Sequence, residues 1–339
     1  MSSAVVFHGI GDLRLEEMPV IHLGDDDVRL RVEACGVCGS DITSYFKGLY
    51  VQPGQVMGHE VVGSIVETGR SAGTRWSVGQ RVMVRPLNTC GQCRYCRSAE
   101  QQLCGHSAEL SLAYGRPGAY AQEMVVFGAL REQSLIEVRP EVRTEDAVWT
   151  EPLAVSLHAL NRASLAIGES LGVIGAGSVG LSLTAAARAA GSQVHVVEPR
   201  EMRRSLAGKA GANSTSSPGE TDRRFDVVFD TSGTESGATE GLRLLQPGGR
   251  LVLIGVSDQN VPVREGTVIL GAFGYRSEEF ARSASLINRG EVSLGDLITH
   301  QFGLSEVDLA IATTRDSQDA GKVIIVPDGM DSHLVRRNQ

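Results

Sequence analysis

No run of about 18 or more apolar residues occurs in this 339-residue chain, so the sequence offers no membrane-spanning helix. Basic residues do not outnumber acidic ones. The 32 lysines and arginines against 40 aspartates and glutamates leave a net charge of −8, which argues against the positive footprint of a nucleic-acid binder. The opening Met1-Ser-Ser-Ala-Val-Val-Phe-His-Gly lacks a basic flank ahead of an apolar segment. It does not read as a signal peptide, and the expected location is the cytoplasm. Internal repeats and low-complexity segments are missing too. After residue 104 there is no cysteine: the six lie at 35, 38, 90, 93, 96 and 104. In a reducing compartment, such clustering points to metal or catalysis before disulfides.

What is present is ordinary globular material, 42% apolar and 21% charged, with 40 glycines that fit many tight turns. The length suggests two domains, since single cores stop growing at roughly 250–300 residues. To about residue 150 the chain reads as short alternating stretches between glycines. Val28-Arg-Leu-Arg-Val-Glu-Ala, Val61-Val-Gly-Ser-Ile-Val-Glu-Thr-Gly and Arg81-Val-Met-Val-Arg-Pro are candidate strands of a β-rich or barrel-like body. From about 165 the texture changes. Leu171-Gly-Val-Ile leads into a glycine loop, and Leu181-Ser-Leu-Thr-Ala-Ala-Ala-Arg-Ala-Ala reads as a helix stopped by Gly191. Val194-His-Val-Val, Phe225-Asp-Val-Val-Phe, Arg250-Leu-Val-Leu-Ile and Val268-Ile-Leu-Gly-Ala-Phe follow with helical stretches between most of them, the βαβ rhythm of a parallel sheet. Beyond about 285 the pattern is irregular until Lys322-Val-Ile-Ile-Val, another candidate strand. The last ten residues are polar and expected to fray.

Gly175-Ala-Gly177-Ser178-Val179-Gly180 matches GxGxxG between a strand and a helix. There the glycines allow a tight turn, approach of backbone to a pyrophosphate and close helix–strand packing, while the helix N-terminus meets the phosphates. An acidic residue should end the second strand, and Glu198 does. Its carboxylate would accept from ribose hydroxyls and repel a 2′-phosphate, which favours NAD over NADP. Arg200, Arg203 and Arg204 follow closely and could hold that phosphate, although a solvated helix face is the commoner role.

Cys90, Cys93, Cys96 and Cys104 offer four thiolates from one short polar segment. Zinc prefers tetrahedral sulfur, and four cysteines leave no open position, so a structural zinc lobe over residues 88–106 is expected. His106 in place of Cys104 is the alternative ligand.

The order Cys38-Gly-Ser-Asp41, Gly58-His59-Glu60, the cysteine lobe, Glu151-Pro-Leu and GxGxxG resembles the zinc-dependent medium-chain dehydrogenases, from Val28 to Val326. Glu-Pro-Leu, where classical alcohol dehydrogenases carry a cysteine, is closest to the sorbitol (polyol) and threonine dehydrogenase branch. The resemblance implies an α/β chain: a GroES-like, β-rich catalytic domain over 1–150, a Rossmann doubly wound parallel-sheet cofactor domain over 151–285, and a return to the catalytic domain over 286–339. It implies two zinc ions per chain, a homodimer or homotetramer, and oxidation of a secondary alcohol (polyol, sugar, cyclitol or amino alcohol) to a ketone, or the reverse.

Carried over residue by residue, Cys38, His59 and Glu151 fall on the catalytic zinc positions, and Glu60 on the carboxylate that coordinates directly or sits just outside. A catalytic zinc wants mixed N, S and O ligands with one open place, and this set provides them. Asp41 matches the carboxylate that orients the ligand histidine. Ser40 resembles the hydroxyl that bonds the substrate oxygen and passes its proton on. Many relatives place a histidine at the solvent end of that relay; here the position is Thr43. Cys35 and His158 read as buried packing residues, and Tyr45, Phe46, Tyr114 and Tyr120 as core aromatics before pocket walls. Two other functions fit parts of the pattern: a zinc-independent reductase of the same superfamily, which lacks this ligand set, and a non-catalytic zinc- and dinucleotide-binding sensor, in which Cys38, His59 and Glu151 have no work.

Overall fold

A computed structural model describes residues 2–255 and 266–327. The expected fraying of the last ten residues lies outside them. The chain divides into two compact units, residues 1–151 with 276–339, and residues 152–275.

The first unit is built on a seven-stranded sheet in which Val28–Gly36 is the central ladder. One edge of that strand pairs antiparallel with Glu60–Thr68 over its whole length. Its other edge is shared: Val28 to Arg31 pair with Glu123–Val126, and Cys35 and Gly36 with Lys322–Ile325. Arg81–Val84 and Leu135–Glu137 extend the sheet beyond Glu60–Thr68, and Ile298–Phe302 lies parallel to Lys322–Ile325 at the far edge. The expected alternation over Val28–Ala34 is present in part. Val28, Leu30 and Val32 point into the core, Arg31 points out, and Glu33 is buried against Arg81, Ser64 and Thr144. Burial of a carboxylate is tolerable there because each oxygen is hydrogen-bonded. A smaller sheet, Asp12–Met18, Ser2–Gly9 and Gln55–Val56, has no counterpart in the sequence reading; its hairpin turns through Gly11 at φ 73°.

The second unit carries a six-stranded parallel sheet in the order Ser214–Ser216, Gln193–Val197, Ser170–Ile174, Phe225–Asp230, Leu245–Leu253, Val268–Gly271. Chain order reverses between Ser170–Ile174 and Phe225–Asp230, the switch point at which doubly wound sheets bind dinucleotides. The expected helix after the glycine loop runs Ser178–Ala189. Its small residues Gly180, Ser182, Ala186 and Ala187 are buried, which lets it lie close to the sheet. Among the described residues, no helix is long and apolar enough to cross a membrane.

Candidate metal sites and cofactor loop

In the cysteine lobe the sulfurs of Cys90, Cys93, Cys96 and Cys104 all lie within 4.8 Å of one another. Cys93 and Cys96 are 3.5 Å apart, Cys104 and Cys90 3.6 Å, and Cys90 and Cys96 3.9 Å. A tetrahedral ion with Zn–S near 2.3 Å needs sulfurs roughly 3.8 Å apart, so the four fit one zinc ion. Main-chain N–H groups of Gln92 and Cys93 pull the Cys90 thiol down to about 6, whereas burial pushes Cys96 up to about 11. His106 takes no part; its exposed ring faces Glu109 at 3.8 Å. The lobe is fastened to the unit by Glu100, whose carboxylate accepts from Arg276 at 2.7 Å.

The second constellation is assembled from distant segments. Cys38 caps the helix Gly39–Lys47, and Asp41 in that first turn accepts from the Cys38 N–H at 2.9 Å, half of a capping box. Buried Tyr120 donates to the same Asp41 oxygen at 2.9 Å. The other oxygen faces His59 Nδ1 at 4.0 Å. Gly58, at φ 87°, delivers His59 through a turn where a Cβ would stand 2.5 Å from the Tyr120 ring. Glu60 then opens its strand. Donor atoms of Cys38, His59 and Glu60 lie within 4.8 Å of one another. Glu151, in the first turn of the helix Thr150–Ala163, stands outside that mutually close set.

Two observations say that this set suits a cation. His59 Nδ1 is buried without a hydrogen-bond partner, turned toward Asp41 and leaving Nε2 as the nitrogen to ligate. Burial alone would lower the imidazole pKa, but its neighbours Tyr114, Cys38 and Asp41 outweigh it and push it well above the usual histidine value. Sulfur, nitrogen and carboxylate oxygen together are the donor set of a zinc site. Cys35 stays out of it, fully buried with its thiol pKa raised by that burial.

Around the metal donors stand hydroxyls. Tyr114 donates to Ser40 Oγ at 3.3 Å, and its ring lies 5.7 Å from that of His59. Tyr114 and Tyr120, read from the sequence as core aromatics, therefore both touch the site's residues. Thr43 gives its hydroxyl to the Gly39 carbonyl at 3.2 Å. Lys322, unnoticed in the sequence because it begins an apolar run, pairs with Glu60.

In the second unit, Gly175 turns the chain at φ 93° immediately after Ser170–Ile174. Gly177 caps the helix beginning at Ser178 and Val179, and a Cβ on Gly180 would strike the Gly175 carbonyl oxygen. Glu198, at the end of Gln193–Val197, accepts from the main-chain N–H of Ala176 at 2.8 Å and of Arg200 at 3.0 Å. The carboxylate is thereby fixed at the loop, with lone pairs remaining for further donors.

Comparison with known proteins agrees with this class of site. Residues 24–137 match the alcohol dehydrogenase GroES-like domain, and residues 178–289 the zinc-binding dehydrogenase domain. The chain belongs to the family of GroES-like, zinc-binding alcohol dehydrogenases. It is 29% identical to the erythritol/L-threitol dehydrogenase of Mycolicibacterium smegmatis, over 96% of this chain and 97% of that protein. It is 30% identical to "Probable D-xylulose reductase A" of Aspergillus clavatus, over 94% of each. A Sinorhizobium meliloti protein crystallised with NADP superposes with a TM-score of 0.88 at 25% identity, covering 96% of this chain and 99% of that one.

Proposed function

We propose that the chain is a zinc-dependent dehydrogenase that exchanges a hydride between a secondary alcohol and a nicotinamide dinucleotide, interconverting alcohol and ketone. Polar, polyol-like alcohols are the substrate class. The relatives named above are an erythritol/L-threitol dehydrogenase and a "Probable D-xylulose reductase A", and the site places hydroxyl groups beside the metal donors. The observation that carries the reading is the convergence of Cys38, His59 and Glu60 within 4.8 Å, with Asp41 behind the imidazole.

Zinc held here would supply a Lewis acid that makes the substrate hydroxyl easier to ionise, and a nicotinamide dinucleotide would supply the hydride acceptor. The chain's own residues do the rest. Cys38 and His59 hold the ion, with Glu151 and Glu60 as the carboxylates available to complete the shell. Asp41 sets a negative charge 4.0 Å behind the imidazole and is itself fixed by the Cys38 N–H and Tyr120. Ser40 Oγ, which accepts from the Tyr114 hydroxyl, would hydrogen-bond the substrate hydroxyl and, as it takes that proton, pass its own on by way of the cofactor ribose to water. Thr43 cannot act as a base near neutral pH. A second zinc in the four-cysteine lobe is structural.

Glu198 hydrogen-bonds the adenosine ribose, and its charge disfavours a 2′-phosphate, so NAD is the proposed cofactor over NADP. Gly175, Gly177, Ser178, Val179 and Gly180 form the loop that meets the pyrophosphate, and Arg200 flanks it. A homodimer or homotetramer resident in the cytoplasm completes the proposal. A screen of alcohols and ketones at 340 nm with both cofactors tests it. Polyol oxidation that depends on NAD and stops on zinc removal is the expected result; no turnover of any alcohol by zinc-loaded protein would refute it.

A further inference from the structure

Lys322 occupies a place built for an apolar side chain. It is 0% exposed, and Val323, Ile324 and Ile325 after it are core. Its ammonium pairs with Glu60 Oε2, lies 3.4 Å from the Val37 carbonyl, and sits over the Trp149 ring at 5.4 Å. Gly36 makes the room: a Cβ there would fall on the Glu60 carboxylate and 2.8 Å from Lys322 Nζ. Burying a lysine is unfavourable unless a carboxylate compensates it, and such a pair is often no more stable than apolar residues of equal volume. Stability alone does not account for it.

The same carboxylate is one of the three donors converging with Cys38 and His59. Glu60 thus lies between a fixed cation and the place of a metal ion. We infer that Lys322 is a positioning residue for Glu60, holding its carboxylate at the rim of the metal's shell so that the ion is gripped by fewer anionic donors than the site contains. The inference rests on the reading that Cys38 and His59 bind zinc. An anion shared by two cations gives each less of its charge, and removing one leaves the whole to the other. A more anionic shell holds a dication harder but leaves it a weaker acid toward a substrate oxygen.

The test loads the full-length protein with cobalt(II), whose visible bands separate a four-thiolate site from a one-thiolate site, and measures the affinity of each by competition with a chelator. Lys322→Met should tighten the one-thiolate site about tenfold or more and alter its bands, the scale on which groups behind metal ligands act. Lys322→Gln, neutral but still a donor, guards against a misfolded methionine variant and should move the same way. Lys322→Arg should return both readouts toward the parent. Two cobalt ions per chain with unchanged affinity and bands in the neutral variants would overturn the role of Lys322 alone. One cobalt per chain in the parent would overturn the metal reading beneath it. If neither neutral variant folds while Glu60→Gln/Lys322→Met does, the pair is structural and the inference is wrong.

Discussion

The two sulfur-bearing sites of the first unit differ in how far the chain travels to make them. Cys90 to Cys104 bring four like donors together within one short segment, helped by main-chain N–H groups that point at sulfur. The other site draws Cys38 from a helix cap, His59 and Glu60 from a strand start, and Lys322 from a strand near the other end of the chain. A local site needs only its own loop and can be closed. A site gathered from a rigid sheet can hold unlike donors in fixed places, with groups behind them that tune their charge. Closed and local suits structure; open and gathered suits chemistry.

The sharpest way to break this contrast is to remove one donor from each site. His59→Ala should lower kcat/KM about a thousandfold, since the Lewis acid contributes several kcal/mol, while circular dichroism and the lobe's metal stay unchanged. Persistent turnover would make the gathered site dispensable. Ser40→Ala should lower kcat about a hundredfold, as expected for loss of a proton-transfer group, with the Kd for the dinucleotide little changed by fluorescence titration. Asp41→Asn should weaken zinc retention or turnover by about ten- to a hundredfold, because the group behind the imidazole loses its charge but not its size. Zinc release to a colorimetric chelator measures it.

The local site should instead respond to acid. Cys90 is lowered to about 6 by the N–H groups around it, against an ordinary thiol value of 9.0. Its contribution is present above the ordinary thiol range and is lost as pH falls through about 6. Zinc uptake by the lobe should therefore weaken as pH falls, and below about 6, where Cys90 adds a further competing proton, more steeply by about tenfold per unit. Flat zinc retention from pH 7 to pH 4 would contradict it.

The same contrast explains what was legible in the sequence. Most of the parallel strands around the glycine loop could be read because βαβ units announce themselves through apolar runs and glycine turns, and the lobe because its spacing is local; the short, polar edge strand Ser214–Ser216 could not. Only the C-terminal part of Leu245–Leu253 was visible. Its first half contains Gln246-Pro-Gly-Gly, which breaks the periodicity, and the ladder jumps from the Leu245 pair to the Arg250 pair. The Glu60–Lys322 pair was invisible, since no local rule links a strand's first residue to one 262 positions away. Tyr120 and Tyr114 were equally hidden, because an aromatic that caps a buried carboxylate or meets a serine looks in sequence like any core aromatic.

Elemental analysis of zinc in the intact protein and in Cys38→Ser tests the central claim most directly. The account predicts two zinc ions per chain in the first and one in the second, with oxidation of alcohols lost alongside the missing ion. Two ions retained in Cys38→Ser, or a single ion in the intact protein, would contradict it.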